Sequence, residues 1–235
     1  MKYFARAKRK LLPFIPPILI NFYTYQKSKP SKFAKANEIA IKDFAQSFEL
    51  LEFSLIDLQL PFDLKWGWWS RVFEYELAIS KLSHFGVNRQ SSIHNTCWGY
   101  HGSHTLFKNE LESLSDNVTN SDLLFSIISN TTTYDLRETP PENWWNAFDY
   151  VINISTIEEI AYSHIKVIDN LLTMVKPGGI LIATFDIPGI QLDYVENLLN
   201  AEIKQVINPV NGANSPYQMN EFAGLTTGFF VLRKV

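Results

Sequence analysis

Within the fourteen residues Ser91 to His104, SSIHNTCWGYHGSH, the chain places three histidines, its one cysteine and two glycines. Three chemistries fit such a set. A metal centre needs three or four ligands converging in fixed geometry. His94 and Asn95 sit on a run that reads as a strand, where neighbouring side chains point to opposite faces, and this argues against a metal there. A nucleophilic Cys97 needs an adjacent base and a depressed pKa, which His101 alone would have to supply. A small thiol filling a loop is the simpler reading. The third chemistry is nucleotide binding, with Gly99 and Gly102 leaving room for backbone to pass close beneath a ligand.

Further polar residues stand where predicted strands end. They are Asp122 in NVTNSDL, Asp135 in TTYDL, Asn153 and Ser155 in FDYVINIS, and Asp186 in ILIATFD. Asp122 lies 20 residues beyond Gly102, a separation at which an acid meets ribose hydroxyls in dinucleotide-binding folds. Each has a plainer role to set beside this one. A short acid caps turns, Glu158 and Glu159 would favour the first turn of a helix, and Asp186 precedes a turn at Pro188.

These residues need elements to position them. KFAKANEIAIKDFAQSFELLEFSLIDL has apolar positions at three- and four-residue spacing and reads as a helix within residues 31–60. SRVFEYELAISKLSHFGV reads as a second helix, with Ser70 as cap and Gly86 as stop, and another runs from about His104 to Ser115. TIEEIAYSHIKVIDNLLTMV reads as a helix halted by KPGG, LDYVENLLN as one more, and FFVLRKV as a closing strand. Strands with continuous apolar runs, alternating with helices, indicate a mostly parallel sheet covered on both faces.

Composition sets the limits. The 235 residues, 46% hydrophobic and 14% aromatic, suffice for one large core with an N-terminal appendage. A single cysteine excludes an internal disulfide framework and fits a reducing, cytoplasmic compartment. Residues 1–37 carry nine of the 21 basic residues and no acid, leaving twelve basic against all 24 acidic residues in the body. An acidic body argues against a nucleic-acid partner. LLPFIPPILINFY is too short to span a bilayer and is broken by three prolines. Flanked by lysines, it suits a peripheral membrane contact through residues 1–35, or an arm packing on its own body or a second subunit of a homodimer.

The ordered set of a glycine-containing loop, two acids, FDYVINISTIEEI and LLTMVKPGGILIATFD resembles the class I S-adenosylmethionine-dependent methyltransferases, over roughly Trp69 to the C-terminus. Arg71, Glu74, Tyr75 and Ala78 form an R..EY..A helix similar to that of the methyltransferases of polysaccharide gene clusters. The resemblance departs at the loop. Asn95 stands where the family carries an acid, Cys97 where it carries the first glycine, and Glu158-Glu159 where a Glu-His pair is usual.

The resemblance implies an α/β, Rossmann-like, doubly wound sheet of seven mostly parallel strands with an antiparallel last strand. A helical extension (residues 1–60) would precede the methyltransferase-like domain (61–235). The implied cofactor is S-adenosyl-L-methionine. Asn95, Cys97, Gly99, Gly102, Asn153 and Ser155 would frame it, Asp122 would meet the ribose, and Asp135 with Leu136 the adenine. Arg71 would pair with the cofactor's carboxylate. The implied activity is methyl transfer to a sugar hydroxyl of a glycan or glycan precursor, with Asp186 first, then His101, Glu158 and Glu159, as the proton acceptor. Two other readings stand beside it: a non-catalytic relative that keeps the fold as a scaffold, and a nicotinamide enzyme, against which the sparse glycines and KPGG count.

Overall fold

The computed structural model describes residues 47–57, 71–96, 102–123, 131–160, 164–187, 190, 192–203, 205–207 and 226–235. The basic head, Ser70, and the loop bearing Cys97, Gly99 and His101 lie outside the described residues.

Among the described residues eight strands form one sheet: β1 (Phe48–Asp57), β2 (Ser92–Thr96), β3 (Asn117–Asp122), β4 (Thr131–Thr133), β5 (Phe148–Asn153), β6 (Val175–Ile187), β7 (Gln205–Ile207) and β8 (Thr226–Lys234). Their spatial order is β4-β3-β2-β5-β6-β8-β1-β7. Only β8 runs antiparallel to its neighbours β6 and β1; the other pairings are parallel. The architecture is a Rossmann-like, mostly parallel α/β sheet with one antiparallel strand. Among the described residues it counts eight strands where seven were expected.

The additional strand corrects the sequence reading. Residues 48–57, expected to continue an N-terminal helix, are β1, paired with β8 on one side and with β7 on the other. A register shift between Leu50 and Glu52 interrupts its alternation. Phe48, Leu50 and Phe53 all pack with the same core, so the residues of one face are spaced two and then three apart, as on a helix, although the backbone is extended.

Two helical layers cover the sheet. On one face, α1 (Arg71–His84) and α2 (Gly102–Leu114) bury Tyr75, Ala78, Leu82, Phe107 and Leu111 against Ile93, Ile152, Ile182 and Phe229. Tyr75 stacks on Phe107 at 4.2 Å between ring centroids, joining the two helices. On the other face, α3 (His164–Met174) and α4 (Leu192–Leu199) bury Ile168, Leu171, Val195 and Leu198 against Val151, Leu181, Phe185 and Phe230. Gly86 ends α1 with φ 79°, the left-handed conformation a glycine allows without penalty.

Two boundaries differ from expectation. The run TIEEIAYSHIK does not begin a long helix: Ile157–Glu159 is a short 3-10 turn, and α3 starts at His164. KPGG lies within β6, which starts directly after α3 at Val175. Its register against β5 shifts between Phe148↔Val175 and Tyr150↔Ile180, leaving the KPGG segment bulged out of the pairing.

Candidate active site

Sheet order sets where a ligand can sit. From β2 the chain winds outward through β3 to β4, then returns to place β5 on the other side of β2. The switch point therefore lies between β2 and β5, and in open α/β sheets the crevice for a ligand opens at the carboxyl ends of such strands. Thr96 ends β2, Asp122 ends β3, Asn153 ends β5 and Ile187 ends β6. One expected strand end moves: β4 closes at Thr133, so Asp135 sits two residues past it in a turn rather than on the strand.

Along this rim the expected residues divide. Asp122 is half-buried at the strand end, and its carbonyl accepts from the Tyr134 N–H at 2.9 Å. Asn153 is fully buried; its Nδ2 donates to Thr96 Oγ1 at 2.8 Å, and its Oδ1 has no hydrogen-bond partner among the described residues. Asp135 is held by Arg137, whose Nε lies 2.9 Å and 3.1 Å from the two carboxylate oxygens. This ion pair keeps the Asp135 carboxyl below the usual carboxylate range.

Other side chains turn inward. Asn95 is buried on the α1–α2 face and donates to Asn120 Oδ1 at 3.1 Å, while His94 points to the opposite face. Leu136 is packed in the core of the α3–α4 face, and its carbonyl accepts from Asn170 at 2.7 Å. Ser155 is buried and its hydroxyl donates to Glu74. Asp186 is buried on the α1 side of β6 and accepts from the Thr227 hydroxyl at 3.2 Å. Glu158 is buried in the 3-10 turn and Glu159 is exposed. Gly102 is the first residue of α2 and Arg71 the first of α1.

His94, one of the three histidines for which a metal was weighed and argued against, is a satisfied core histidine. Its ring nitrogens lie 2.7 Å from Thr119 Oγ1 and 3.0 Å from Ser121 Oγ, and its ring stacks on Phe148. Burial lowers its pKa to about 3. Among the described residues no group of three or more His, Cys, Asp or Glu is placed to hold a metal ion, and no helix is long and apolar enough to cross a membrane.

Sequence reasoning passed over Glu74 as a site residue. It is fully buried in the first turn of α1 and accepts hydrogen bonds from two hydroxyls on the neighbouring strand ends, Ser155 and Thr184. The R..EY..A spacing was its signal, since residues 74, 75 and 78 share the buried face of α1.

For S-adenosylmethionine, the rim offers donors and acceptors of the right kind in part. Asp122 presents a carboxylate, and Asn153 a buried carbonyl oxygen that accepts from no group among the described residues. Hydroxyl and ammonium groups of a nucleoside ligand would satisfy such acceptors.

No protein-family model matches the chain, and no curated protein sequence matches it. Among solved structures, it is similar to the 1,6-didemethyltoxoflavin-N1-methyltransferase of Burkholderia thailandensis, solved with bound 1,6-didemethyltoxoflavin and S-adenosylhomocysteine. The TM-score is 0.49 at 15% identity, over 71% of this chain and 80% of that one. It is also similar to an N-methyltransferase of Bradyrhizobium japonicum in complex with S-adenosylhomocysteine (TM-score 0.47, 15% identity, 84% of this chain and 98% of that one). A third is the magnesium protoporphyrin IX methyltransferase of Synechocystis with bound S-adenosylmethionine (TM-score 0.47, 13% identity, 70% and 80%).

Proposed function

We propose that the chain is an S-adenosylmethionine-dependent methyltransferase that transfers a methyl group to a sugar hydroxyl of a glycan or glycan precursor. The observation that carries the reading is the switch point between β2 and β5, with Asp122 closing β3 and Asp135 just beyond β4 on one side of it. Bound there, the cofactor supplies an electrophilic methyl group. Asp122 would accept from ribose hydroxyls, Asp135 would meet the adenine, and Asn153 Oδ1 would accept from the ammonium group. Gly99 and Gly102 border the ligand, and Arg71 pairs with its carboxylate. Asp186 takes the acceptor proton, with His101, Glu158 and Glu159 as the other candidates. The protein's main contribution is alignment of two atoms for in-line displacement. Residues 1–35 belong to this proposal as an arm that brings the body to a membrane surface or a second subunit.

Titration calorimetry with S-adenosylhomocysteine tests the first half. Micromolar binding is expected, and Asp122→Ala weakens it at least about tenfold through loss of a hydrogen-bonded carboxylate. Transfer of labelled methyl to a glycan fraction, with O-methyl sugars identified after hydrolysis, tests the second. The competing scaffold reading has its own observation: Asn95 is engaged within the sheet and Asp135 with Arg137. Absence of binding to S-adenosylhomocysteine and to NAD would favour it.

A further inference from the structure

We infer that Glu74 is a positioning residue: from the first turn of α1 it fixes the turn that carries the chain off β5 at the ligand-bearing rim. The inference rests on the methyltransferase reading for its functional consequence, though the contact network stands by itself.

Helix α1 descends into β2, so its first turn lies over the carboxyl edge of the sheet. There Glu74 is fully buried, on the side of α1 that carries Tyr75 and Ala78 into the core. A carboxylate in such surroundings is costly unless it is hydrogen-bonded. Three contacts close a ring around it. The Ser155 hydroxyl donates to Glu74 Oε1. The Thr184 hydroxyl donates to the same oxygen at 2.5 Å. The Ser155 N–H donates to Thr184 Oγ1 at 3.0 Å. One side chain thus ties a helix to the ends of two adjacent strands.

The tie falls on a strained residue. Ser155 has φ 38°, in the left-handed region that non-glycine residues seldom adopt. Such a conformation persists where its surroundings over-determine it, and here the ring pins both the N–H and the hydroxyl of the residue. The direction of the chain after Ser155 sets where the 3-10 turn Ile157–Glu159 sits, and with it Glu158 and Glu159. Ser155 therefore shapes the rim with a hydroxyl that is already engaged. Packing alone does not account for the arrangement, because an apolar side chain would fill the same space without the desolvation cost.

Hydrogen exchange and calorimetry on the full chain test this. Glu74→Ala and Thr184→Val should speed amide exchange at Ser155–Ile160 selectively. Leu82→Ala, a cavity in the same helix face, should lower the melting temperature without that local signature. S-adenosylhomocysteine affinity should fall at least about tenfold in Glu74→Ala, beyond any change in Leu82→Ala, and return to within about threefold of wild type in Glu74→Gln, whose amide oxygen accepts the same two bonds. Should Glu74→Ala fail to fold, Thr184→Val carries both measurements. Exchange at 155–160 unchanged from wild type overturns the inference. So does an affinity loss in Glu74→Ala no greater than in Leu82→Ala. A wild-type chain that binds no S-adenosylhomocysteine overturns the functional reading instead, while the exchange experiment still decides the role of Glu74 in the turn.

Discussion

Two buried histidines make the fold sensitive to acid. Burial lowers His94 to about 3 and His164 to about 4, against 6.5 for an exposed imidazole. The unfolded chain therefore takes up protons that the folded chain refuses. Their stabilising contribution is intact above pH 6.5 and drains away as pH falls toward the folded values. At pH 5 each should cost about 2 kcal/mol relative to pH 7.5. Urea unfolding at the two pH values measures this, and equal stability would mean that the charged rings are accommodated inside. The Asp135–Arg137 pair is partly exposed, so Arg137→Ala should change stability by less than about 1 kcal/mol. It should also raise the Asp135 pKa, which a carboxyl-detected NMR titration would show. At this scale the sequence was legible for residue type but less so for direction. Asp122 is where strand ends and spacing put it. Asn95 and Leu136 lie in the expected segments but face inward, because which side of a strand or turn a residue takes depends on the layer that covers it.

Among elements, the close approach of β6 and β8 sets the strictest condition on sequence. Gly228 pairs with Phe185, and a Cβ there would stand 2.2 Å from the Phe185 ring. Gly228→Ala should destabilise by about 1–3 kcal/mol through overpacking, and pairing it with Phe185→Leu should recover part of the loss; calorimetric melting of both variants checks this. Helices α1, α2 and α4 and strands β5 and β8 were readable because each keeps one period or one apolar run throughout. β1 was not, since the irregularity between Leu50 and Glu52 changes its face in mid-strand and converts a two-residue period into a helix-like one. β7, with three residues, carries too little pattern to be read. The KPGG segment was read correctly as a break after α3 but not as a bulge inside a strand.

Taken whole, the molecule stitches together parts that are far apart in the chain. β1 makes nine register pairs with β8 and only three with β7. Arg233 reaches Glu49 at 2.8 Å across a separation of 184 residues. On a ribosome, the segment 48–57 thus emerges well before β8, the strand with which it makes most of its pairs. Until then it is an apolar strand with bare amides, the kind of segment that chaperones cover and that associates wrongly with its own copies. Closing so long a loop also makes refolding slow, in the millisecond-to-second range or beyond. Pulse-labelled hydrogen exchange during refolding should find the amides of β1 protected together with those of β8 and after those of β2 and β5. Early protection of β1 would mean that another surface shelters it first.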